Sequence, residues 1–106
     1  MSNSTPHFNG LTPAELERLA ILAEEAGEIV QAVNKIIRHG YESYNPNIPG
    51  APTNREDLER EIGDFTAALQ SLVNQGDLNP DNIEMYRKEK VKRVWVYLHH
   101  QPLPTN

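Results

Sequence analysis

The sequence predicts an all-α protein, a bundle of about three main helices in a single domain. Apolar residues recur at steps of three and four along three long segments, as they do on amphipathic helices. Helix-starting and helix-stopping residues bracket each segment. No stretch alternates apolar and polar residues as a half-buried strand would. Val94-Trp95-Val96-Tyr97 has strand propensity, but it continues a helical pattern without a break. The length of 106 residues suits one small domain.

Residues 1–11 read as a loose polar arm. Thr12-Pro13-Ala14-Glu15 is a helix start: threonine caps, proline suits the first helical position, and glutamate completes a capping box. Leu16, Leu19, Ala20, Ala23, Ala26, Ile29, Val30, Val33, Ile36 and Ile37 then trace a broad apolar stripe, and Gly40 is the terminator. The first helix is predicted over about 13–39. Pro46, Pro49, Gly50 and Pro52 make 41–53 a loop. A loop this long in a small domain is often functional, such as a lid, though a plain crossover would look the same.

Asn54 is expected to open the second helix, with Asp57 reaching back to the cap. Leu58, Ile62, Phe65, Leu69, Leu72 and Val73 form its stripe, and Gly76 ends it. Asn79 caps the third helix and Pro80 begins it, with a predicted span of about 80–99. Ile83, Tyr86, Val91, Val94, Trp95 and Leu98 are its apolar side, and Pro102 and Pro104 mark a frayed tail. Three helices of this size give a thin core. The breadth of the first two stripes therefore predicts completion by self-association, as a homodimer or dimer of dimers.

Composition narrows the function. Cysteine is absent, which excludes a disulfide framework, a thiolate nucleophile and a cysteine zinc site. The formal net charge of −5 argues against a nucleic-acid partner. No apolar run is long enough to span a membrane, and the polar N-terminus lacks a signal-peptide core. The expected location is cytoplasmic. The acidic early helices contrast with a basic segment from Arg87 to Arg93. Folded back on an acidic pocket, that segment would suit a metal–polyphosphate ligand; it would equally serve as a solvated helix face.

The chemistry concentrates in Glu24-Glu25-Ala26-Gly27-Glu28 and Glu61-Ile62-Gly63-Asp64. Glu25 and Glu28 are three apart, as are Glu61 and Asp64, so each pair shares a helix face one turn apart. Carboxylates beside apolar stripes cost stability unless a cation meets them. On antiparallel helices the two pairs would gather oxygens around a hard ion, magnesium or manganese as its substitute. Gly27 and Gly63, each just before the last acid, suggest close helix approach, room for a ligand or simple packing tolerance. Isolated glutamates such as Glu56 and Glu59, with Arg60, read as ordinary exposed helix residues, and Arg18 is a possible partner for Glu24. A dinuclear iron bundle would require Glu-x-x-His, but Gln31 and Ala67 stand where the histidines would be. His7, His39, His99 and His100 share no spacing with the acids. No Walker-type loop or nucleophile elbow is present.

Glu24-Glu25-x-x-Glu28 followed by Glu61-x-x-Asp64 resembles the signature of the all-α nucleoside triphosphate pyrophosphohydrolases, specifically the MazG-like group. The likeness covers about residues 13–98, with Lys88 to Arg93 similar to the basic third helix of that family. The Pro-rich loop puts the gap between the motifs at the long end of the expected range. The resemblance implies magnesium-dependent hydrolysis of a nucleoside triphosphate to the monophosphate and pyrophosphate. It implies that Glu25, Glu28, Glu61 and Asp64 hold the metal. Glu24 and Glu25 would be catalytic, Glu24 as a further ligand or by orienting the attacking water. Lys35, seven positions beyond Glu28, is the first candidate for a phosphate contact. Lys88 and Lys92 come next, Arg38 and Arg93 after them, and Asn34 is a candidate for the base or sugar. Phosphoribosyl-ATP pyrophosphohydrolase, of the same superfamily, is a rival for the substrate. A non-catalytic nucleotide-sensing or partner-binding module is a rival of another class, favoured by the broad apolar stripes and by the aromatics Tyr41, Tyr44 and Trp95, read as exposed.

Overall fold

The computed structural model describes residues 8–102. Most of the expected N-terminal arm, including His7, and Pro104 of the tail lie outside that range. The chain forms α1 (Pro13–His39), α2 (Asn54–Asn74), α3 (Pro80–Arg93) and a short 3-10 turn (Val94–Tyr97). No strand occurs among the described residues.

Local chemistry sets these boundaries. Thr12 and Glu15 form the expected capping box, with Pro13 in the first turn. The start of α2 differs from expectation by one residue. Thr53 is the cap: its hydroxyl accepts from the Glu56 amide at 3.2 Å, and its own amide donates to Glu56 Oε1 at 2.9 Å. A hydroxyl and a glutamate three residues apart satisfy two orphan amides together, which Asn54 with Asp57 would not do. Asn54, now inside the helix, donates from Nδ2 to the Gly40 carbonyl. At the other end Gly76 takes φ of 82°. Asp77 N–H then reaches the Leu72 carbonyl and Gly76 N–H that of Val73, the paired bonds of a Schellman stop.

The third helix is shorter than predicted. It ends at Arg93 and tightens into the 3-10 turn. Val94 and Val96 are β-branched and Trp95 and Tyr97 aromatic, all poorer helix formers, and this end of the chain has no neighbouring helix to hold the α form.

Helices α1 and α2 pack on each other as an antiparallel hairpin. Arg18, near the start of α1, grips Asp77, just after α2, through Nε–Oδ2 at 2.6 Å and Nη2–Oδ1 at 3.0 Å. At the opposite end, Arg55 and Asn54 amides donate to the Tyr41 and Ser43 carbonyls. Arg55 also holds Glu42 at 2.7 Å and lies over the Tyr41 ring. The Pro-rich loop is thus tied to the first turn of α2. The buried residues of the hairpin are Ala32, Ala68 and Leu72.

The seam between the two helices has regular spacing. Arg18, Leu22, Glu25, Ile29, Ala32 and Ile36 of α1, at steps of four and three, are buried or half-buried. So are Asn54, Leu58, Glu61, Phe65, Ala68 and Leu72 of α2. This is the alternation of a two-helix coiled-coil seam. A second stripe on α1 runs Leu16, Leu19, Ala23, Ala26, Val30, Val33 and Ile37. Among the described residues no helix covers it: Val30 is 59 % and Ile37 75 % exposed. The broad apolar face read from the sequence is therefore two faces, one packed and one open.

Helix α3 makes no substantial contact with α1 or α2, and Val91 is its one residue that is not exposed. The Cα radius of gyration is 18.0 Å, against roughly 13 Å for a folded domain of this length.

Candidate metal and phosphate site

Two of the acids occupy seam positions. Glu25 stands in the α1 row between Leu22 and Ile29, and Glu61 in the α2 row between Leu58 and Phe65. One carboxylate oxygen from each of Glu25, Glu61 and Asp64 lies within 4.8 Å of the others. The Glu61 side chain is 12 % exposed. Glu28, outside that three-oxygen group, stands one turn further along α1 and lines a cleft with Glu61. The effect on Glu25 is direct: desolvation raises its pKa above the ordinary glutamate value, and the charges of Asp64, Glu24, Glu61 and Glu28 push it further the same way. Like charges drawn into a partly desolvated seam repel one another unless a cation joins them.

The cleft runs from this acidic end toward the loop end of the hairpin. Glu28 and Glu61 face each other at one end, and Lys35 and Asn54 at the other. Each pair is separated by seven residues along its helix, a rise of about 10 Å. Gln31 and Asp57 line the stretch between, and Arg60 lines the cleft beside Glu61 at its acidic end. Arg60 donates to Glu61 Oε1 from Nη2 and pairs with Asp57 Oδ1 through Nη1, each at 3.2 Å. The cleft is small, about 80 Å³.

The sequence-derived candidates divide accordingly. Glu25, Glu61 and Asp64 converge, while Glu28 and Lys35 line the cleft that Glu61 shares. Glu24 is exposed and outside the three-oxygen group, although its charge bears on Glu25. Its suggested partner Arg18 is taken by Asp77. Asn34 and Arg38 are exposed and do not line the cleft. Lys88 and Lys92 lie in a shallow groove made wholly of α3 residues, and Arg93 is exposed on the same helix. Within the chain the basic helix does not fold back on the acids, because α3 does not pack on the hairpin. Trp95 is half-buried rather than exposed. Neither Gly27 nor Gly63 marks a close approach within the chain, since a Cβ at either would meet nothing within 4 Å.

Sequence reasoning missed Gln31, Asn54, Asp57 and Arg60 as cleft residues. A usable signal existed: Asp57, Glu61 and Asp64 continue one face at steps of four and three, and Asn54 precedes Glu61 by the seven residues that separate Glu28 from Lys35.

Fold and site together define an all-α domain with a carboxylate cluster built across the seam of a helical hairpin. The family model for the MazG nucleotide pyrophosphohydrolase domain matches residues 14–93, about three quarters of the chain, and the chain belongs to that family. This agrees with the resemblance carried by the two acidic motifs. No curated protein and no solved structure matches the chain significantly.

Proposed function

We propose that the protein hydrolyses nucleoside triphosphates, ribo- or deoxyribo-, to the monophosphate and pyrophosphate, using magnesium held at the seam. The observation that carries this reading is the convergence of Glu25, Glu61 and Asp64 oxygens within 4.8 Å, with Glu25 and Glu61 at positions where a two-helix seam favours apolar side chains. An all-carboxylate donor set fits a hard divalent cation, magnesium or manganese, and not a soft one. Glu25, Glu28, Glu61 and Asp64 would hold it. Bound there, the ion supplies Lewis acidity to the phosphoryl oxygens and lowers the pKa of water. Lys35, at the far end of the cleft, meets phosphate charge. Glu24, exposed and with its charge felt at Glu25, would orient the attacking water. Membership of the MazG family supports the reaction class.

The chain acts as a homo-oligomer in this reading. The cleft of about 80 Å³ accommodates an ion with its waters or a phosphoryl group, whereas sites for whole small molecules run to roughly 300–1,000 Å³. The uncovered stripe of α1 and the unpacked α3 are the surfaces from which a second copy would complete the site and bring Lys88 and Lys92 toward it.

The test is pyrophosphate release from a panel of ribo- and deoxyribonucleoside triphosphates with magnesium, with phosphoribosyl-ATP as one arm. Turnover of a triphosphate that stops on chelation supports the proposal. No turnover of any member by pure, folded protein overturns it. Tight binding of a non-hydrolysable analogue without turnover assigns the chain to the sensing class instead.

A further inference from the structure

We infer that Arg60 is a substrate-phosphate contact, held on Asp57 and Glu61 while no phosphate is bound. The inference rests on the metal–triphosphate reading above and adds a residue to it. Among the described residues, the cations lining the cleft are Lys35 and Arg60, and they come from opposite helices. Lys35 sits about two turns from the acidic end. Arg60 is at that end: its guanidinium is 3.2 Å from a carboxylate oxygen of Glu61, a member of the converging acid group. Any phosphoryl oxygen bound to a cation shared by Glu25, Glu61 and Asp64 therefore lies within reach of a side chain as long as arginine.

The present contacts of Arg60 leave it free to move. One is a single hydrogen bond to Glu61 at 3.2 Å, at the long limit for N–H···O pairs, the other an ion pair with Asp57 at 3.2 Å, and neither is the bidentate fork that fixes Arg18 on Asp77. The Arg60 side chain is 58 % exposed, so its packing contributes little to the fold, and exposed pairs of this kind are weak. A phosphate offers a bidentate partner that matches the planar guanidinium better than two separate carboxylates do. A cation bound at Glu61 also neutralises the charge that attracts Arg60 there. Loading the site thus releases the arginine and supplies its new partner in the same place.

The test compares wild type, Arg60→Gln and Arg60→Lys in two titrations. Manganese alone is followed by electron paramagnetic resonance, and a non-hydrolysable triphosphate with magnesium by calorimetry. Arg60→Gln is expected to bind manganese as tightly as wild type or more tightly. Its affinity for the analogue should fall roughly 10- to 100-fold, the scale of a lost charged hydrogen bond. Arg60→Lys should recover part of that loss. Unchanged analogue affinity in Arg60→Gln would overturn the inference and leave Arg60 a helix-surface pair. An equal weakening of manganese and analogue would also overturn it, because Arg60 would then act by orienting Glu61. Wild type that binds neither manganese nor analogue fails the underlying reading, which is separable from failure at Arg60 alone.

Discussion

Glu61 concentrates the chemistry at the residue scale. It occupies a seam position, shares a cluster with Glu25 and Asp64, and touches Arg60. Glu61→Gln removes a charge and almost no volume, so far-ultraviolet dichroism should be unchanged while pyrophosphate release falls by roughly 100-fold or more, the scale for deleting a transition-state electrostatic contact. Glu25 sets a pH dependence. Its raised pKa means that the folded chain takes up a proton there at a higher pH than the unfolded chain does. In the metal-free protein this carboxylate disfavours folding above its raised pKa; the penalty shrinks as pH falls below that value and is gone below the ordinary 4.5 of the unfolded chain. A cation needs the ionised form, so manganese affinity should decline on acidification, starting above the ordinary glutamate value of 4.5. The convergence of Glu25, Glu61 and Asp64 was foreshadowed by spacing, because i,i+3 pairs share a helix face whatever the tertiary structure. Arg60 and Asp57 were not: an Asp–Arg pair three apart on a helix reads as surface chemistry until the opposite wall of the cleft is known.

Capping and cross-helix pairs determine stability at the scale of the elements. Thr53→Ala would remove the hydroxyl that accepts from the Glu56 amide at the start of α2 and should lower unfolding stability by about 1 kcal/mol, readable by urea titration. The Arg18–Asp77 fork closes the open end of the hairpin. Hydrogen bonding to Arg18 holds the Asp77 pKa below its ordinary value. Its contribution is therefore present above the unfolded-state value of 3.8 and is lost as pH falls through the lower folded value. Asp77→Asn should depress the melting temperature at neutral pH, with a smaller difference from wild type near pH 3. Helix existence, order and most boundaries followed from periodicity and caps. Two things did not. The shift of the α2 cap to Thr53 depends on which of two adjacent capping residues takes an extended backbone. The end of α3 depends on packing that the sequence pattern presumed and the chain alone does not supply.

For the whole molecule, the surface arithmetic points outward. The chain exposes 8340 Å², whereas a compact protein of this mass exposes roughly 6,000 Å². The excess is comparable to what one protomer hides in an obligate interface. Sedimentation equilibrium should find a dimer or larger assembly. Val30→Glu, in the middle of the open α1 stripe, should shift it toward monomer and reduce turnover without touching a proposed ligand. Gly63→Ala adds a second probe. Within the chain the new methyl meets open space, so a gain of roughly 1 kcal/mol in helix propensity is expected, unless a neighbouring copy lies against that face and reverses the sign. Dimerisation could be argued from stripe width in the sequence, but the seam used inside the chain could not be told from the one left open, since both obey the same three-four spacing on α1.

The detachment of α3 has a kinetic consequence. A helix of 14 residues with almost no buried surface is too short to persist alone in water. In dilute solution its amides should trade hydrogen for deuterium within seconds, while those around Ala32 and Leu72 hold theirs far longer. Slow exchange from Glu84 to Lys92 would then report, amide by amide, that a neighbouring molecule has closed over it.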